Sequence, residues 1–284
     1  MKPLLLAALL LAPLSAGAES YPDARRIVTI GGPVTEIVFA LGAGERIVAR
    51  DTTSIWPDEV GELPDIGYMR RLSAEGVLSV GPDLIIMRDT AGPPDALDQL
   101  RAAAVPIVEI HDAFTPQAVV AAIRQVGEAI DSREQAADLA DRVEADLVAL
   151  ADEASRGTRP RVMFVLSNQG GRLNVAGRGT GADGIIALAG GENVMARDYE
   201  GYKIMSDEAV IAAAPEVIVM IQPTGAGPID NGREDVMELP AIQQTPAGEA
   251  GALVLVNGAA LGFGPRTAEF ARKLMTDLRG AGGG

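Results

Sequence analysis

The chain of 284 residues contains no cysteine. That excludes disulfides, thiol catalysis and thiolate metal ligands, and it leaves no cysteine before the expected mature start to carry a lipid. A single histidine, His111, excludes a two-histidine metal site and an HExxH helix. No GxSxG elbow and no GxxxxGK[ST] phosphate loop is present, and the glycine pairs at 31–32, 170–171 and 190–191 do not fit a dinucleotide fingerprint. A Ser/His/Asp triad would have to use His111, so a secreted α/β enzyme stays open only in that narrow form. Basic residues are scarce: 24 Lys and Arg against 39 Asp and Glu give a formal charge of −15, which argues against nucleic acid as a partner. Aromatic residues make up only 4%. Beyond the first twenty residues, no run is long and apolar enough to span a bilayer.

What is abundant is aliphatic residue and glycine: 48% hydrophobic, with 33 glycines. That suffices for one or two packed α/β cores with many tight turns. Lys2, the apolar run Pro3 to Leu14 and the small-x-small site Ala16-Gly17-Ala18 predict a signal peptide over residues 1–18. The mature chain would start at Glu19, reside in the periplasm and insert in no membrane after cleavage.

The pattern then predicts strands at Arg26 to Ile30, Ile47 to Ala49, Asp83 to Met87 and Val105 to Ile110. Helices are predicted at Thr35 to Leu41, Ser73 to Val80 and Pro94 to Ala104, with Ser73 as N-cap. From Thr115 to Arg156 there is no strand signal. Ala136, Leu139, Val143, Leu147 and Leu150 keep a helical rhythm after a break at Asp131-Ser132, where a cap is expected. Strands return at Arg161 to Leu166, Glu216 to Ile221 and Ala252 to Asn257. Helices are predicted at Thr180 to Leu188 and Pro265 to Leu278, the last starting on proline. This alternation predicts an α/β fold with mostly parallel sheets. The expected organisation is an N-terminal lobe over 19–131, a connecting helix over 132–157 and a C-terminal lobe over 158–284.

The second half echoes the first. Ala40-Leu-Gly-Ala-Gly-Glu-Arg-Ile-Val-Ala-Arg-Asp51 matches Ala187-Leu-Ala-Gly-Gly-Glu-Asn-Val-Met-Ala-Arg-Asp198 at seven of twelve positions. Leu72 to Met87 likewise aligns with Met205 to Met220, and Gly67-Tyr68 and Gly201-Tyr202 each stand just before the second block. Two related lobes facing each other make a cleft, and ligands of open α/β sheets sit at the carboxyl ends of the strands.

Tyr68 lies in such a loop. Phenolate is an axial ligand for ferric haem. A free phenol titrates near ~10, so a neighbouring guanidinium, here Arg70, would favour the ligating form. The run Pro64-x-x-Gly67-Tyr68-x-Arg70-x-Leu72-Ser73-x-Glu75-Gly76 resembles the haem-binding periplasmic proteins of bacterial haem ABC importers. So do Val175-Ala-Gly-Arg-Gly-Thr180, Glu200-Gly-Tyr-Lys203, Gln244-Thr-Pro-Ala247 and Leu261-Gly-Phe-Gly-Pro-Arg-Thr267.

The resemblance implies two Rossmann-like lobes joined by a long rigid helix, the class III binding-protein architecture. It implies a monomer that binds haem as cargo without turnover, with Tyr68 as axial ligand and Arg70 supporting it. Arg71, Arg178, Tyr202 and Lys203 become candidates for propionate or cleft contacts. Glu75 and Glu208, equivalent in the two repeats, become the contacts to a permease dimer with its ATPase subunits. The stretch Ser167-Asn168-Gln169 offers no histidine from the second lobe, so a single, five-coordinate haem is expected. His111 is read as a loop residue. The same architecture carrying a ferric siderophore or a corrinoid is the nearest alternative.

Overall fold

A computed structural model of the chain describes residues 19–222 and 236–281. The expected signal peptide lies outside the described residues. The first sheet is built from β1 (Ile27–Ile30), β2 (Ile47–Arg50), β3 (Leu84–Arg88) and β4 (Ile107–Ile110). All of its pairings are parallel, in the order β2-β1-β3-β4. Helices α1 (Gly32–Ala40), α2 (Ala74–Ser79), α3 (Pro94–Ala102) and α4 (Pro116–Ala129) accompany it.

The second sheet repeats this order. Strands β5 (Arg161–Gln169), β7 (Glu192–Asn193), β9 (Val217–Ile221) and β10 (Leu253–Val256) pair in parallel as β7-β5-β9-β10. Helices α6 (Gly181–Leu188) and α7 (Asp207–Ala213) occupy the places of α1 and α2. Strand order thus carries the same duplication as the sequence. One addition breaks the symmetry. β5 runs on past the expected Leu166, turns at Gly170-Gly171 and returns as β6 (Arg172–Ala176), to which β8 (Tyr202–Ile204) pairs antiparallel.

Alternating residues of each strand enter different cores, as the pleat requires. Val28, Ile30, Ile85 and Met87 face a cluster with Val77, Leu97 and Leu100. Met163, Val165, Ile218 and Met220 face another with Val210 and Ile242. The opposite faces, Ile27, Leu84 and Ile86 on one sheet and Val162, Phe164, Val217 and Val219 on the other, belong to one continuous core. That core runs through α5 (Arg133–Ser155), whose stripe Ala136, Leu139, Ala140, Val143, Leu147 and Leu150 is buried. Helix α5 packs on α4 from the first half, and on α6 and the closing helix Thr267–Ala281 from the second. Burying each large aliphatic chain of that stripe is worth ~1.5–3 kcal/mol.

Two expectations need correction. Ser132 stands at the N-cap of α5, but its side chain makes no capping hydrogen bond; the turn is closed instead by backbone bonds from Ser132 to Gly127 and from Ala136 to Ser132. The closing helix begins at Thr267, not Pro265. Pro265 sits in the preceding turn, where the Thr267 amide and hydroxyl both donate to the Gly264 carbonyl. Among the described residues no helix is long and apolar enough to cross a membrane.

Candidate functional site

The carboxyl ends of both sheets meet along one seam. Arg88, at the end of β3, donates to the carbonyl of Gly262 and pairs with Asp112. Burial pushes its guanidinium down to about 10, with Asp89 opposing, Arg70 adding to the shift and Asp51 opposing. Phe114 meets Phe263 edge-on at 5.5 Å. Gly184 of α6 lies so near that a Cβ there would stand 2.7 Å from the Phe114 carbonyl oxygen. Arg266 reaches back to Glu36 of α1 at 2.6 and 3.3 Å. Its guanidinium lies 4.4 Å from the Trp56 ring centre and 4.8 Å from that of Phe270. The segment Leu261 to Thr267 is therefore a strap binding the second half to the first.

Tyr68 is displayed above this seam on a tightly held loop. Residues 64–66 lie beside β2: the Arg50 amide donates to the Pro64 carbonyl and the Ile66 amide to that of Arg50, both at 3.0 Å. Asp65 binds Arg50 at 2.6 Å, the Thr52 hydroxyl at 3.1 Å and the Gly67 amide at 2.8 Å. Past Tyr68, the Gly92 amide donates to Met69 and the Leu72 amide to Gly92, at 2.9 Å each. Met69 and Leu72 are buried, while Tyr68 is 36% exposed. Gly67 turns the chain into it with φ of +95°, and Gly201 does the same before Tyr202 with φ of +78°. A Cβ would meet nothing within 4 Å at either glycine, so backbone conformation and not space requires glycine there.

Under the loop sits fully buried Asp51. Its carboxylate accepts from the Gly31 amide at 2.9 Å, the Thr53 amide at 3.0 Å and hydroxyl at 2.7 Å, and the Ser54 hydroxyl at 2.7 Å. It ties the end of β2 to the start of α1. Sequence reasoning passed over it, although Asp51 closes the first repeat block; its equivalent Asp198 is exposed.

The other expected site residues divide. The Arg71 guanidinium lies 5.8 Å from the Tyr68 ring centre. Arg70 is exposed on the same loop, two residues past Tyr68. Partial burial raises the Tyr202 phenol above its ordinary value, while Thr180 and Arg70 act in the opposite sense. Arg178 pairs with Glu200 at 3.1 Å. Lys203 leaves β8 on the side opposite Tyr202 and its ammonium lies 5.0 Å from the ring centre of buried Tyr199. His111 is exposed and holds Asp89 at 2.7 Å through Nδ1. Glu75 and Glu208 are exposed in the first turns of α2 and α7, whose N-caps Ser73 and Ser206 accept from Gly76 and Ala209 at 3.3 Å each. The Glu208 amide and then the Ser206 hydroxyl hold the Glu208 carboxyl below its usual range.

Two duplicated α/β lobes on one continuous core, with conformationally held loops at the facing strand ends, define a two-lobed binding protein. The chain belongs to the periplasmic binding protein family, whose model matches residues 27–259. It is 37% identical to the periplasmic heme-binding protein RhuT from Roseiflexus sp. RS-1, with a TM-score of 0.83, over 92% of this chain and all of that one. It is 35% identical to the periplasmic heme-binding protein BhuT, solved with two hemes, at a TM-score of 0.83 over 90% and 98% of the two chains. Among curated proteins it is 28% identical to the vitamin B12-binding protein of Vibrio parahaemolyticus, over 68% of this chain and 69% of that protein. It is 26% identical to the ABC transporter substrate-binding lipoprotein YvrC of Bacillus subtilis, over 69% of this chain and 63% of that protein. These are transport-type binding proteins, not enzymes.

Asp51→Ala strands four donors, two of them buried, and should lower the unfolding free energy by about 2–4 kcal/mol in urea titration, whereas Asp198→Ala should stay within about 0.5 kcal/mol. A loss below about 1 kcal/mol at Asp51 would mean that the loop stands without it.

Proposed function

We propose that the protein captures haem between its lobes in the periplasm and hands it to an ABC permease with its ATPase subunits. The observation that carries this reading is Tyr68: an exposed phenol on a loop fixed on both sides, followed by buried Met69 and Leu72, at the carboxyl ends of the first sheet. Phenolate oxygen suits ferric iron. Arg70 and Arg71 flank it with positive charge, which favours phenolate and suits haem carboxylates. The heme-binding solved relatives support the same ligand.

The ligand enters the seam from the loop side. Tyr68 ligates the iron on one face. Because one core passes through α5, domain closure is small and the cleft is largely preformed. The single histidine, His111, belongs to the first lobe and holds Asp89, and Ser167-Asn168-Gln169 offers none from the second, so one five-coordinate haem fills the site. The protein acts as a monomer. Glu75 and Glu208 stand on equivalent, identically capped helix starts and offer one carboxylate per lobe to arginines of a two-fold permease. A corrinoid is the second reading, favoured by the vitamin B12-binding curated relative; it gives Tyr68 no iron to bind.

Tyr68→Ala should cut hemin affinity by at least about a hundredfold and abolish the tyrosinate charge-transfer band, with Tyr68→Phe losing the band as completely. A ferric spectrum unchanged in both variants would place the iron on another residue. Reversing both carboxylates with Glu75→Lys and Glu208→Lys should leave hemin affinity intact and stop uptake into vesicles carrying the permease. Uptake at the unmodified rate would contradict the docking role.

A further inference from the structure

We propose that the second lobe meets the cargo with an apolar face made by Tyr202 and Ile204, and that the carboxylate edge of the ring is left to Arg70 and Arg71 of the first lobe. This rests on the haem reading and reassigns Tyr202 from a carboxylate contact to a stacking surface.

The distribution of exposed apolar side chains points there. Among the described residues six large hydrophobic side chains are exposed: Ile55, Trp56, Tyr68, Val148, Tyr202 and Ile204. All but Val148 fall within 52–71 or 199–204, the segments that separate the matched blocks in the two halves. Each lobe thus presents apolar groups from the same place in its repeat. Clustered exposure of this kind marks a binding surface more often than a solvated one.

Strand geometry then separates polar from apolar. On β8 successive side chains alternate, so Tyr202 and Ile204 share a face and Lys203 takes the other, over Tyr199. β8 is the outer strand of its sheet, paired only with β6, and both Tyr202 and Ile204 are exposed. The start of β8 stands beside the strap: the Gly177 amide donates to the Gly201 carbonyl, and Gly181, at the start of α6, lies so near Leu261 that a Cβ there would stand 2.3 Å from its carbonyl oxygen. Lys203 is turned away and Arg178 already holds Glu200, so the second-lobe cations singled out from the sequence do not present free charge here. Arg70 and Arg71 are both exposed and form no ion pair among the described residues. A flat ring with two carboxylates on one edge fits this division: charge and iron ligand from one lobe, a ring face from the other. Partial burial of the Tyr202 phenol favours its neutral form, as a stacking surface requires.

The test titrates hemin and iron-free protoporphyrin IX into the mature protein and into Tyr202→Ala, Tyr202→Phe, Ile204→Ser and Tyr68→Ala. Tyr202→Ala and Ile204→Ser should weaken both porphyrins about fivefold to tenfold, with the ferric spectrum of bound hemin unchanged. Tyr202→Phe should keep both affinities within about twofold, because the ring and not the hydroxyl does the work. Tyr68→Ala should weaken hemin far more than protoporphyrin. Unchanged affinity in both Tyr202→Ala and Ile204→Ser overturns the assignment while leaving the haem reading intact. So does a Tyr202→Phe protein as weak as Tyr202→Ala, or one with an altered ferric spectrum, since either makes the hydroxyl the working group. A wild-type protein that binds neither porphyrin overturns the haem reading and this inference with it.

Discussion

Helix α5 buries one stripe, from Ala136 to Leu150, in a core that both sheets share. Two lobes with separate cores would be free to swing on their linker. Here separation would uncover part of the α5 stripe, which packs on α4 from the first half and on α6 and the closing helix from the second, at a few kcal/mol for each large aliphatic chain. The facing strand ends are therefore held at a set distance, and the strap from Leu261 to Thr267 fastens the seam from the other side through Arg88, Glu36 and Trp56. Strand ends held in this way would leave little rearrangement for a ligand to induce, and so would limit the ordering cost of binding.

Within that frame the duplication supplies a matched pair of loops, and the chain has used them differently. The first-half loop is long, cross-linked to β2 and to Gly92, and carries a phenol with two arginines. The second-half equivalent is short and is drawn into an added antiparallel strand, β8, beside the β5–β6 hairpin. Strand pairing fixes Tyr202 and Ile204 on one face and turns Lys203 to the other. Fold symmetry thus places the groups, and local pairing decides which face each of them takes.

Much of this was legible beforehand. Aliphatic runs bounded by glycine or proline marked β1, β3, β5 and β9, and the stripe of α5 marked the long helix, because both signals are local. The repeat predicted related lobes, and the order β7-β5-β9-β10 mirrors β2-β1-β3-β4. The β5–β6 hairpin was missed although Gly170-Gly171, between two β-rich runs, is a two-residue hairpin signal. β7 and β8 were too short to register as periodic. Tyr68 and Arg71 share one loop, and their proximity follows from it. The stacking of Arg266 on Trp56 and the bonds of buried Asp51 to Gly31 join residues far apart in sequence, and no periodicity encodes such contacts.

The account depends on a cleft built for a planar iron porphyrin and not for a corrinoid. Equilibrium titration of the mature chain with hemin and with cyanocobalamin, followed by absorbance, tests that most directly. The account predicts saturation by one equivalent of hemin with a high-spin, tyrosinate-type ferric spectrum, and no saturable binding of cyanocobalamin. Saturation by cyanocobalamin with no hemin binding above a nonspecific control would contradict it, and would leave the two-lobed fold with a different cargo.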